Sequence, residues 1–245
     1  MKKILQSFLI LLFVVITSTG YAAPIIFTGS SGSLSASVSF DTSGTNLLVT
    51  LSNISSSDVL VPTDVLTGVF FNISPILTPV SATIHSGSTV FFGPTNGGNL
   101  GGEWANVNNQ GVTGTRPPDG ISSSGLGIFG SGNFGGANLQ GPSSTDGLQY
   151  GLTSAGDNLG TGNAAVTGGF ALTQYSVDFI LSGLPTGFDP STGITNVLFQ
   201  YGTGLDEPTI PGNPPNTPVP EPGTMILFGS GLVGLAGYGR KRFRN

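Results

Sequence analysis

The chain of 245 residues contains no cysteine. Disulfides, thiolate nucleophiles, cysteine-based zinc sites and a lipid-modified N-terminal cysteine are therefore excluded. Charge is almost as scarce. Asp, Glu, Lys and Arg make up 8% of the residues, against about 25% in ordinary globular domains. Of the 7 cationic residues only Arg116 lies away from the ends; the others are Lys2, Lys3, Arg240, Lys241, Arg242 and Arg244. The interior carries a clear negative excess. That argues against nucleic-acid binding, which needs Lys and Arg to neutralise phosphates. A sustained helical period is also missing between the two ends.

What is present is glycine, 40 residues of it, with Ser, Thr and Asn crowding the same stretches. Apolar residues alternate with polar ones. SLSASVSF places Leu34, Ala36, Val38 and Phe40 on one face. LLVTLSNI sets Leu47, Val49 and Leu51 against Leu48, Thr50 and Ser52, and the intervening DTSGTN is turn chemistry. The pair reads as a β-hairpin. Further strands are expected around Val69–Ile73 and Thr89–Phe92. In SVDFILSGL, Val177, Phe179 and Leu181 point inward and Asp178 outward; in TNVLFQYG, Val197, Phe199 and Tyr201 share a face. An all-β domain follows, an antiparallel β-sandwich or a jelly-roll-like fold. Between Gly93 and Ser144 the chain is looser, and short edge strands around Trp104 and Ile128–Phe129 are expected there. LQYG at Leu148–Gly151 echoes FQYG at Phe199–Gly202, which is poor evidence for a repeat.

The two ends are more explicit. MKKILQSFLILLFVVITSTGYAAP has a positive start, an apolar run from Ile4 to Ile16 and small residues after it. This is the pattern of a Sec signal peptide, with cleavage expected between Ala22 and Ala23. At the other end Met225–Gly239 is apolar and uncharged, a short and marginal membrane helix. Arg240, Lys241, Arg242 and Arg244 should hold the far end in the cytoplasm. EPTIPGNPPNTPVPEP, 207–222, carries seven prolines. It is expected to be an extended spacer with Glu221 exposed between Pro220 and Pro222. The resulting division is 1–22 signal peptide, 23–206 β domain, 207–218 linker and 219–245 terminal signal.

Val219-Pro220-Glu221-Pro222, then Thr224, the apolar GLVGLAG segment and the basic end together resemble the PEP-CTERM sorting signal. The resemblance covers about the last 27 residues. It implies that an inner-membrane exosortase recognises the tail and removes it. It also implies delivery to the cell surface or extracellular matrix of a Gram-negative bacterium that makes exopolysaccharide. The Sec machinery and signal peptidase would act first. LQYGLTSAGDN with NVLFQYGTGLDEP also resembles a subgroup of exosortase-dependent surface proteins, which brings no activity to any particular residue.

Catalytic signals are weak. His85 is the sole histidine. No Gly-x-Ser-x-Gly elbow accompanies it, and a polar surface histidine is the better reading. Glu103, Asp119, Asp146, Asp157 and Asp178 are the carboxylates from which a glycoside-hydrolase pair could be drawn. Trp104 beside Glu103 could serve as a sugar platform, as could Tyr150, Tyr175 or Tyr201, but Trp104 reads better as core. Asp157, Asn158 and Asn163, or Asp41 and Asn46, could offer oxygens to calcium, yet they read better as Asx-turns. Asn53 and Asn72 begin N-x-Ser sequons. No catalytic residue, metal or cofactor is assigned. The expectation is a non-enzymatic surface or matrix protein, held in the inner membrane only transiently and associated with exopolysaccharide. A carbohydrate-binding β-sandwich and a secreted glycan hydrolase are the alternatives.

Overall fold

The computed structural model describes residues 23–109, 115–126, 137–139 and 147–214. Its first compact unit ends at Asn213. Two sheets account for most of it. The first runs β1 (Ile25–Ser31), β2 (Leu34–Ser43), β3 (Asn46–Asn53), β12 (Ser176–Ser182) and β5 (Thr78–Ile84), all pairs antiparallel. The β2–β3 hairpin closes with Ser43 opposite Asn46, and Gly44 sits at φ 62 in the two-residue loop. Such a loop needs a left-handed residue, which glycine supplies without steric cost. Ala36, Val38, Phe40, Leu47, Val49, Leu51, Val177, Phe179 and Leu181 are all buried, so the alternation seen in the sequence sets the inner face directly.

The second sheet is built around β4 (Leu66–Asn72), which pairs with β8 (Asp119–Ser122), β10 (Leu152–Thr153) and β13 (Thr195–Tyr201). Beyond β8 lie β7 (Ala105–Val107) and β9 (Ala137–Asn138); beyond β10 lie β11 (Leu172–Gln174) and β6 (Thr89–Phe91). The expected looser stretch thus does hold short strands, but β7 and β8 sit inside the sheet and not at its edge. Ile128–Phe129 lie outside the described residues. One pair, β10 with β11, is parallel, a departure from the purely antiparallel expectation.

A single core joins the two sheets. Phe40 of the first meets Phe71 of the second edge-to-face with centroids 5.0 Å apart, and Trp104 meets Phe179 in the same way at 5.0 Å. The all-β expectation holds. Unlike β2 and β3, β4 is buried on both faces, because Phe70 turns away from this core into a second cluster with Ala105, Val107 and Leu126. This is why its sequence, LTGVFFN, lacks the strict alternation of β2 and β3.

Between β11 and β12 the chain passes from one sheet to the other across a single residue. Tyr175 separates β11 from β12 at φ 83. Its N–H donates to the Thr153 carbonyl at 3.0 Å and its carbonyl accepts from the Asn53 N–H at 2.9 Å, one bond to each sheet. A non-glycine residue in this region costs about 1–2 kcal/mol. The two bonds hold it there. The echoing LQYG and FQYG segments are not equivalent: Leu148–Gly151 forms a turn with Gly151 N–H on the Leu148 carbonyl at 2.8 Å, whereas Phe199–Tyr201 belongs to β13.

The first unit closes with β14 (Thr209–Pro211), which pairs with Leu198–Gln200 of β13 and lies inside the stretch read from the sequence as linker. Asn213 then bonds Thr28 of β1 in both directions, at 2.9 and 2.8 Å. Gly29 lets the two strands come this close, since a Cβ there would stand 2.5 Å from the Pro211 carbonyl oxygen.

Candidate functional site

Val219, Pro220, Glu221, Pro222 and Thr224, the basic residues Arg240, Lys241, Arg242 and Arg244, and Ala22 all lie outside the described residues. So do the apolar segment Met225–Gly239, the expected signal peptide and Asp146. No described helix is long and apolar enough to cross a membrane. Ala23 is exposed, two residues before β1 begins.

The aromatic candidates are mostly core. Trp104 and Tyr201 are 0% exposed and Tyr150 is 3% exposed, which leaves no indole or phenol face for a sugar at these positions. The Tyr150 hydroxyl donates to the Pro94 carbonyl at 3.1 Å. Tyr175 alone is half-buried, its ring edge-on to His85 with centroids 6.4 Å apart.

Register brings His85 and Asp178 together on the outer face of the first sheet. The His85 Nδ1 lies 2.9 Å from both carboxylate oxygens of Asp178, and Thr50 Oγ1 donates to the same carboxylate at 2.6 Å. Thr50 and Asp178 are cross-strand partners. Two parts of a nucleophile–base–acid relay are thus adjacent. Among the described residues no hydroxyl bonds the other ring nitrogen, where a nucleophile would have to sit. Both side chains are more than one-third exposed. A solvated pair of this kind contributes roughly 0–1 kcal/mol.

The remaining carboxylates are dispersed. Asp157 is nearly buried, and its Oδ1 accepts from the Val59 N–H at 2.8 Å. Neighbouring Asp58 accepts from the Asn158 N–H at 3.2 Å and from Thr161 Oγ1 at 3.1 Å. These bonds tie the loop after β3 to the loop after β10. Asn158, Asn163 and Asp41 each accept from a backbone N–H one or two residues on, the Asx chemistry expected of them. Among the described residues no three His, Asp or Glu side chains gather as metal ligands. Asn53, one of the sequon asparagines, is buried, donating to the Leu152 carbonyl at 3.1 Å, and is closed to modification while the domain is folded.

Burial pushes the Asp157 carboxyl above the ordinary carboxylate value; the Val59 N–H opposes this and Asp58 adds to it. The folded state therefore favours the protonated acid. Its stabilising contribution is complete below about pH 3.9, the unfolded value. It is lost as pH rises through the raised folded value. Asp157→Asn keeps an acceptor for Val59. We expect the variant to gain stability relative to wild type as pH rises from about 4, levelling off above the raised value. Urea midpoints for both chains across this range provide the check.

Asp119 organises a different place. Its Oδ2 accepts from the Ile73 N–H at 3.2 Å and its Oδ1 from the Asn109 N–H at 2.9 Å, fixing the end of β4 against the turn after β7. Asn108 adds a two-way bond to the Leu77 backbone, at 2.8 and 2.6 Å. Between these walls and the one-turn helix α1 (Pro190–Gly193) lies an open cavity of ≈ 630 Å³. Asn72, Ser74, Asn109 and Thr195 line it, and their side chains form no hydrogen bond to another described residue. Pro75, Ile76 and Pro118 supply its apolar part, with Ile76 75% exposed. Sequence reading singled out Asp119 and Asn72 for other reasons and missed the cavity. Asn72 and Thr195 meet only because β4 and β13 pair in that register.

Residues 218–242 match the family model of the PEP-CTERM protein-sorting motif. No curated protein and no solved structure matches the chain.

Proposed function

Since the chain carries a PEP-CTERM protein-sorting motif, the signature of exosortase-dependent sorting of an exported protein, we propose that it is a non-enzymatic surface or extracellular-matrix protein. Sec export and signal peptidase cleavage between Ala22 and Ala23 place the β domain across the inner membrane. Met225–Gly239 holds it there transiently, with Arg240, Lys241, Arg242 and Arg244 on the cytoplasmic side. An exosortase reads Val219, Pro220, Glu221, Pro222 and Thr224 and severs the tail. The released domain joins the surface or matrix and associates with exopolysaccharide. The motif match is the observation that carries this reading.

The end of the domain supports it. Among the described residues the last backbone pairing is that of Asn213, where the first compact unit ends. Residues 214–218 then separate the fold from the motif, and Pro214, Pro215 and Pro218 among them favour an extended backbone that an enzyme can grip. The non-enzymatic part rests on the engagement of Asp119 and Asp157 with backbone amides, and on the lack, among the described residues, of a hydroxyl bonded to the second ring nitrogen of His85.

Glu221→Ala tests the reading in a host that contains the processing enzyme. Mass spectrometry of the mature wild-type protein should find the Arg-Lys-Arg end gone. The variant should keep it and stay with the inner-membrane fraction. Equal processing of the two chains would refute the proposal.

A further inference from the structure

We propose that the cavity beside Asp119 binds a neutral saccharide unit. Its volume, ≈ 630 Å³, falls in the range of small-molecule sites, roughly 300–1,000 Å³. The chemistry of the lining selects the class. Asn72 and Asn109 each bring an amide that both donates and accepts, and Thr195 brings a hydroxyl that does the same. These are the complements of sugar hydroxyls, which also act in both senses. Among the described residues no Lys or Arg lines the cavity, so a phosphate or uronate would find no counter-charge there. The one carboxylate, Asp119, is already committed to two backbone amides. A cationic ligand would have to share it. Beside the polar groups, Ile76 stands 75% exposed. An apolar side chain so placed can cover the C–H face of a pyranose while the amides take its edge.

The walls are set before any ligand arrives. Asp119 and Asn108 hold the backbone on both sides, so binding need not order the loops first. The polar side chains are exposed or half-buried and bond nothing else in the described structure. Their truncation removes no hydrogen bond to a described residue, and glycine suits the left-handed backbone of Asn109 (φ 46). This site is independent of the sorting reading. A chain that binds no sugar would still be exported and cut.

The test uses the mature processed protein on an array of neutral and uronic-acid-containing oligosaccharides, followed by calorimetric titration of the neutral oligosaccharide retained best. We expect wild type to retain neutral members. Asn72→Ala/Thr195→Ala should raise their Kd about tenfold, as two hydrogen bonds of ordinary strength imply. Asn109→Gly, on a separate wall and suited to the left-handed backbone there (φ 46), should weaken binding in the same direction, and thermal melts of all three proteins should coincide. Retention of no neutral member would overturn the proposal. Preference for acidic members, or unchanged affinity in both variants, would do so as well. The mass of the C-terminus, measured on the same preparation, reports sorting separately.

Discussion

Trp104→Ala is expected to destabilise the domain by about 3–5 kcal/mol, the range for emptying a large aromatic site in a packed core. The indole is 0% exposed and lies edge-to-face on Phe179 across the gap between the two sheets. Neither sheet can collapse onto the space alone. Each is held at its distance by the other cross-sheet contact, Phe40 on Phe71, and by the surrounding aliphatic side chains. The urea midpoint should fall, with the slope unchanged if the unfolded state is unaffected. Trp104→Phe should recover most of the loss. It keeps an aromatic ring on Phe179 and deletes an indole N–H that finds no hydrogen-bond partner among the described residues. The result bears on function too. Any loss of glycan binding in Trp104→Ala would report unfolding, and only the cavity variants separate binding from stability.

Ending the chain at Asp206 is expected to cost more than ending it at Pro214, by about 4 kcal/mol or more. That figure combines the burial of Ile210, which alone is worth roughly 2–5 kcal/mol, with several backbone hydrogen bonds at about 0.5–1.5 kcal/mol each. Ile210 is 3% exposed and belongs to the main core. The shorter chain also loses the β13–β14 pairing and the Thr28–Asn213 bonds. Glu207 goes with them, and its carboxylate accepts from the Thr203 and Gly204 N–H groups. Side-by-side thermal melts of the two secreted chains decide the matter. Equal melting temperatures would show that β14 is dispensable.

The strand was illegible for a specific reason. Pro208 and Pro211 bracket Thr209-Ile210, and proline is barred from a central strand. β14 escapes the bar because, among the described residues, its one strand partner is β13. Nothing in the local sequence announces that Ile210 finds a core. A comparable silence covers β7 to β10. Strands of two to four residues are too short to show a period. Tyr175 is silent too, since its φ of 83 is imposed by two hydrogen bonds from distant strands.

By itself the sequence determined the parts whose physics is contiguous. Alternation over seven or more residues placed the inner faces of β2, β3, β12 and β13, because the period of a strand is local geometry. The ordered run of Pro-Glu-Pro, apolar segment and basic end specified the sorting motif, because a processing enzyme reads a short stretch of chain. Tertiary structure alone decided the rest. It set which strands neighbour β4, where the domain ends, that His85 meets Asp178, and that Asn72 and Thr195 share a cavity. Each of these joins residues far apart in the chain. Such contacts form only when two sheets bury a common core, and no local pattern encodes the partner.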